Sequence, residues 1–181
     1  MKKLLVLLFS ILISFNSYGE ELNSLFGITL YDNAEKYVSS NYIDSNKYKN
    51  IETTEGYFDL NITNQIKSKS QYANYYGITI DNDNRIHEIY GHDEVVNLDV
   101  CLEIQKDLSS MFEEKYRIDL VSWEQSLPTF KKYARYHWTD SSNIISIQCV
   151  KIYKNSDAFR QIYFRSEVLS KAIEDFYNSG L

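Results

Sequence analysis

Histidine, cysteine, glycine and proline are all scarce in this chain: three, two, six and one of 181 residues. Each scarcity closes a class of chemistry. The six glycines are nowhere closely spaced, so neither a phosphate-cradling loop nor a dinucleotide fingerprint can be drawn. Cys101 and Cys149 stand far apart. That leaves no C-x-x-C pair and no Cys/His cluster, hence no zinc knuckle and no thioredoxin-type redox motif. The G-x-S-x-G and S-x-x-K signatures of serine enzymes are missing as well. Local motifs therefore imply no cofactor and no metal, and a triad could come only from distant positions. The chain reads as noncatalytic rather than as an enzyme.

Long hydrophobic runs are limited to one. Leu4 to Ile13 is apolar but for Ser10, follows Lys2 and Lys3, and leads to Ser17-Tyr18-Gly19, with small residues where a signal peptidase reads them. The pattern predicts a secretory signal over residues 1–19 and a mature start at Glu20. The run is about half of the roughly 20 apolar residues a spanning helix needs, so no membrane span is expected after cleavage. No cysteine near the cut offers a lipid attachment point. Residues 20–181 then suit a single domain with a full core.

Positive charge is short too. Removing Lys2 and Lys3 from the 19 basic residues leaves 17 against 25 acidic ones, a formal charge of −8 where the whole chain carries −6. Such a chain is repelled by nucleic acid and by anionic lipid. The near-absence of proline, beside abundant Asn, Lys, Ile, Tyr and Ser, is the coding bias of an AT-rich genome. With the signal sequence it points to a bacterial periplasmic or secreted protein. In an exported chain, an even pair of cysteines most simply forms one disulfide, Cys101–Cys149.

What is present is patterned for an α+β fold. Asp32 and Glu35 have capping-box spacing and predict a helix to about Ser39. Residues 41–56 read as a loop, Tyr57 to Ile62 as a strand and Thr63 to Ser70 as a loop. Asp81-Asn82-Asp83-Asn84 separates two β-rich runs and predicts a hairpin. With Ile80 opposite Ile86, Ile78 meets Glu88, Tyr76 meets Tyr90 and Tyr75 meets Gly91. The run HEIYGH (His87 to His92) is one residue longer than the zinc-peptidase signature. In this register its histidines point to opposite faces of a strand, and Gly91 disfavours a helix, so no metal site is expected. The D-x-D at Asp81 fails as a calcium loop, since Arg85 and His92 stand where ligands belong.

Asn97 predicts a cap for a helix over about Leu98 to Tyr116, with Cys101, Ile104, Leu108, Met111 and Phe112 on one apolar stripe. A strand around Ile118 to Trp123 follows, then a break at Ser126-Leu127-Pro128. Strands at Tyr133 to Thr139, Ile144 to Tyr153 and Phe159 to Arg165 form a meander with turns at 140–143 and 154–157. Ser166 predicts a cap for a last helix, ended by Gly180. The expectation is two helix-then-β-meander units, at 27–93 and 97–165, plus a C-terminal helix. Short turns imply antiparallel sheet with the helices on one face.

The stretch LFGITLYDNAEKY, the YYGITIDNDNRIHEIYG hairpin and the helix carrying Cys101, Leu108 and Lys115-Tyr116 resemble a type of small exported bacterial protein. More distantly, the helix-then-meander units are similar to the outer-membrane-assembly lipoprotein BamE. The chain departs from that family in having no lipid-bearing cysteine, so anchoring and barrel assembly are not implied. Neither resemblance implies a catalytic residue.

Function narrows to three classes: a noncatalytic binding or interaction module of the envelope, which we favour; an inhibitor of a cationic secreted hydrolase, acting through the loop at 41–56 or 124–130; or a hydrolase with dispersed residues. The partner would be an envelope protein or a small anionic ligand. Aromatic abundance is expected to be structural, rings covering sheet, with a glycan or peptide platform as the alternative. Register supplies the candidate site. If Ser141-Ser142 tips a two-residue turn, Ala134, Tyr136 and Trp138 join Cys149, Ile147 and Ile145 on the core face. Arg135, His137, Gln148, Tyr163 and Arg165 then converge on the other. Arginine there would grip a carboxylate or phosphate, and His137 would make the grip pH-dependent.

Overall fold

The computed structural model describes residues 22–53, 56–66, 69–70, 73–95, 97–152 and 158–179. The expected signal sequence, Tyr153, the 154–157 turn and Gly180 fall outside the described residues. A hairpin of β1 (Ser24–Leu25) and β2 (Ile28–Thr29) and a 3-10 turn at Ala34–Lys36 precede α1 (Ser40–Asn46). Next come β3 (Tyr48–Lys49), β4 (Tyr57–Asn61), β5 (Tyr75–Asp81) and β6 (Ile86–Val95). Helix α2 (Leu98–Tyr116) leads to β7 (Val121–Ser126), β8 (Phe130–Trp138), β9 (Ile144–Ile152) and β10 (Ala158–Arg165), and α3 (Glu167–Asn178) closes the chain.

Strands β3 to β10 make one antiparallel sheet in the order β3-β4-β5-β6-β10-β9-β8-β7. Each meander begins at a sheet edge and ends at the centre. There β6 and β10 pair from Val95↔Ala158 to Glu88↔Arg165. The architecture is α+β.

Period-two alternation builds the core. Ile78 and Ile80, Ile86 and Ile89, Ile145 and Ile147, and Ile162 and Phe164 are all buried on one face, with Leu108 of α2 and Ile43 of α1 against them. Asn97 caps α2 as expected, its Oδ1 accepting from Val100 N at 3.0 Å. The helix's inner stripe differs in one place. Met111 is 51% exposed, while Gln105 is buried. Gln105 Nε2 donates to the Ile147 and Tyr133 carbonyls at 2.7 and 3.0 Å, which removes the cost of burying an amide. The Sγ atoms of Cys101 and Cys149 are 2.10 Å apart, a disulfide fastening α2 to β9.

Five expectations are corrected. The Asp32 capping box does not form: Asn33 caps a single 3-10 turn, accepting from Glu35 N at 2.8 Å, and Asp32 holds Lys36 and Tyr37 instead. Helix α1 instead begins where that helix was expected to end, capped by Ser39, and runs into the segment expected to be loop. The strand expected over Ile118 to Trp123 starts three residues later, at Val121, because Leu120 N is drawn to Glu113 Oε1 at 3.0 Å.

In the β5–β6 hairpin, Ile80↔Ile86 holds, but a bulge at His87 shifts the rest by one. Ile78 meets Ile89, Tyr76 meets Gly91 and Tyr75 meets His92. His87 therefore turns toward Asp81 and Tyr57, on the same face as His92 rather than the opposite one. The helices, finally, do not share one face. Helix α2 covers the core face. Helix α3 starts from Ser166, whose N–H is bonded to the His87 carbonyl at 2.8 Å. It places Ile173 and Tyr177 beside Gln148, Tyr163 and Arg165 on the opposite, open face.

Three outcomes follow from these contacts. Thiol titration of the unfolded, unreduced protein should find no reactive cysteine. Reduction should lower unfolding free energy in urea by about 4 kcal/mol, the loop-entropy value for this span. At Gly77 an added Cβ would clash with the Tyr90 ring. Gly77→Ala should therefore cost about 1–3 kcal/mol in the same measurement, as overpacking does.

Candidate functional site

The β8–β9 turn decides where the expected cluster goes. Thr139 N donates to Asn143 O at 2.8 Å and Ser142 N to Thr139 O at 2.9 Å. Ser142 takes a left-handed φ of 59°. The turn thus has three residues between its flanking pair, not two, the type in which an αL residue follows a type I bend. Asn143 pins it, its Oδ1 accepting from Tyr31 Oη at 2.8 Å and from Glu167 N at 3.2 Å. One extra turn residue exchanges the faces of β8 relative to β9.

Arg135 consequently pairs with Ile147 and His137 with Ile145, on the α2 side. There Arg135 Nη2 lies 3.2 Å from Glu113 Oε1, and His137 Nδ1 lies 3.1 Å from the Asp119 carbonyl. Gln148, Tyr163 and Arg165 do come together on the open face. Gln148 Nε2 donates to Tyr163 Oη at 2.9 Å, and the Arg165 guanidinium lies 4.6 Å from the Tyr163 ring centre. The five-residue cluster is therefore split, three and two. Ala134, Tyr136 and Trp138, expected in the core, move to the open face with the three.

Arg165 is already engaged. Its Nη2 and Nε lie 2.8 and 3.1 Å from Glu88 Oε1, and Glu88 is 4% exposed. Burial pushes the Glu88 carboxyl above the usual carboxylate range, against the pull of Arg165. Beside this pair a cavity of about 650 Å³ opens between α3 and the sheet. Gln125, Gln148 and Gln161 supply its amides, Leu127, Phe130 and Ile173 its apolar wall, and Lys132, Arg165 and Glu52 its charges. Burial in that wall lowers the Lys132 ammonium's pKa, with Arg165 adding to the effect and Glu52 and Glu88 opposing it. Among the described residues Lys132 has no hydrogen-bond or ion-pair partner. Sequence reading missed it, treating the strand as starting at Tyr133. The alternation of Lys132 with Ala134 and Tyr136 was the available signal.

Lys132, Gln148 and Tyr163 also border a second hollow of about 320 Å³, so the two spaces form one groove. Its walls are Trp123, Tyr136 and Trp138, and its floor is Ala134, which pairs with Trp123. Trp123 and Trp138 are 43% and 50% exposed.

A Ser–His–Asp contact exists elsewhere. His87 Nδ1 lies 3.1 Å from Ser166 Oγ and Nε2 lies 3.0 Å from Asp81 Oδ2. Ser166 is fully buried, and its Oγ accepts from Leu169 N at 3.2 Å as the cap of α3. The rings of Tyr31 and Tyr57 stand edge-on to His87. A nucleophile needs an exposed oxygen and space for a carbonyl. This contact instead braces the start of α3. His92 stacks on Tyr75 at 4.9 Å, and no group of three or more potential metal ligands occurs among the described residues.

Comparison with protein-family models, curated proteins and solved structures finds no match to this chain.

The Glu88–Arg165 pair yields a signed prediction. Arg165→Met leaves a buried carboxylate without its partner and should cost about 3–5 kcal/mol at neutral pH. Glu88, already raised, is raised further in the variant, so the folded variant binds a proton that its unfolded chain releases. The deficit against wild type should therefore shrink as pH falls through the variant's Glu88 pKa. Urea melts across the acid range check this; a pH-independent deficit would contradict it.

Proposed function

We propose that this chain is an exported, noncatalytic binding module of the bacterial envelope, and that it seats an anionic ligand in the open-face groove between α3 and strands β7 to β9. One observation carries the reading: Lys132, a cation with no hydrogen-bond or ion-pair partner among the described residues, stands where the cavity and the aromatic hollow meet. A lowered ammonium pKa in a partly dry wall marks a group that gains from an incoming carboxylate or phosphate. Export is supported by the leader-like residues 1–19 and by the disulfide. Arg165 contributes positive potential but is neutralised by Glu88, so it shapes the seat rather than gripping the ligand.

Inhibition of a cationic hydrolase is the weaker reading. The 124–130 loop is a tight hairpin turn, Leu127 N donating to Phe130 O at 2.9 Å, but it is flanked by Lys131 and Lys132, which a cationic enzyme would repel. The Ser166–His87–Asp81 contact is closed to substrate, which weighs against a hydrolase.

Amine acylation read by mass spectrometry tests the seat. A bound anion should protect Lys132 selectively. Lys132→Met should weaken binding about tenfold or more in calorimetry, matching the ~1.5–3 kcal/mol of a hydrogen bond to a charged group. An anion bound equally well by Lys132→Met would place the seat elsewhere.

A further inference from the structure

The chain has two tryptophans, and both stand on this groove. Trp138 is two residues from Tyr136 on β8, and Trp123 crosses from β7 opposite Ala134. A methyl between large rings makes a shelf with a low floor. Half-exposed indoles leave apolar area in water that a ligand with a flat apolar face would cover. Strand β8 is paired on both sides, to β7 and to β9, so its backbone is committed and this face recognises through side chains alone. A peptide adding as a strand would find open backbone only along the outer edge of β7, not over the rings of β8. Gln148 borders the rings, its Nε2 donating to Tyr163 Oη, and Gln125 and Gln161 line the adjoining cavity; an amide is both donor and acceptor, as a hydroxyl partner requires. Lys132 adds a single positive charge between rings and amides.

We propose that the groove binds an acidic oligosaccharide, its sugar rings against Trp123 and Trp138, its hydroxyls on the glutamine amides and a carboxylate on Lys132. This rests on the anion seat proposed above and names its ligand class. Nothing is transferred or cleaved; the sugar is held.

Because both indoles line the groove, the protein's entire tryptophan emission reports on it. The mature protein is titrated with hexuronic-acid oligomers and muramic-acid glycan fragments, with carboxyl-reduced oligomers, and with hexaglutamate. At least one acidic sugar should change the emission saturably and shield it from acrylamide. Reducing its carboxyls, or Lys132→Met, should each weaken binding about tenfold or more, and Trp138→Ala should abolish the calorimetric signal. Trp138 is half exposed, so this variant is expected to fold; circular dichroism checks it, and Trp123→Ala provides an independent second test. Acidic sugar binding unchanged in both tryptophan variants overturns the proposal. Hexaglutamate binding as tightly as the sugars, with Lys132 protected and the emission unmoved, overturns the sugar assignment but leaves the anion seat. Failure of every probe to bind overturns the sugar assignment, and Lys132 acylated at the same rate with and without each anion removes the seat as well.

Discussion

Glu88 and Arg165 stand directly opposite each other where the two meanders meet. Their pair is buried on the open face, and the arrangement around it depends on that fact. A buried ion pair adds little net stability over apolar residues of the same shape, but separating its partners is expensive. A one-residue slip between β6 and β10 would send one charge to the isoleucine face and leave the other alone. The pair therefore fixes how one meander joins the other. The His87 bulge immediately precedes Glu88, and Ser166 immediately follows Arg165, so the same seam also launches α3. The His87 carbonyl and ring take hold of Ser166 at the first turn of that helix. Where α3 goes, and hence where the cavity opens, is set at this junction.

The two faces of the sheet are held by different means. On the closed face the disulfide and Gln105 bind α2 to β9, and the isoleucines fill the space between. Polar networks take their place on the open face. Asp59 accepts from Thr79 Oγ1 at 2.6 Å and from Asn50 Nδ2 at 2.9 Å. Gln148 holds Tyr163, and Tyr163 lies beneath Arg165. Buried polar networks of this kind hold side chains in fixed positions, because a loosened member leaves an unpaired group in low dielectric. The groove thus has a rigid polar end, under α3, and an aromatic end on β7 and β8.

The long elements were legible in the sequence; the short ones before β4 and the registers were not. Asn97 and Ser166 announced α2 and α3 because a cap is a local bond between neighbours in the chain. The longer β strands were legible from alternation. Which side a strand shows depends instead on single residues at turns and bulges. The T-D-S-S-N turn has no glycine to advertise its left-handed position, and Ser142 adopts it because Asn143 is held from outside by Tyr31 and the first turn of α3. The His87 bulge likewise depends on Asp81 and Ser166, the latter 79 residues away. A reading that assigns apolar β8 side chains to the core then puts Tyr136 and Trp138 inside and Arg135 and His137 outside. Gln148, Tyr163 and Arg165 were grouped correctly even though β9 and β10 pair two residues from the expected register. A shift of two preserves the face.

The same exchange of faces explains why a groove exists. Had β8 presented Arg135 and His137 on the open face, a long guanidinium side chain and an imidazole would have stood there in place of the aromatic rings. Instead Arg135 is drawn to Glu113 on α2, where its charge answers an acid on the closed side. The rings of Tyr136 and Trp138, which have no such partner on α2, are turned outward with Lys132 and Ala134. Helix α3 meets the sheet beside Arg165 and reaches the cavity through Ile173 and Tyr177, while the hollow walled by Trp123 and Trp138 includes no residue of α3. A core face too polar on β8 and a helix over only one end of the open face thus leave aromatic surface and a single cation uncovered together. Half-exposed rings beside a cation with no ion-pair partner among the described residues are the physical reason to look for a partner outside the chain.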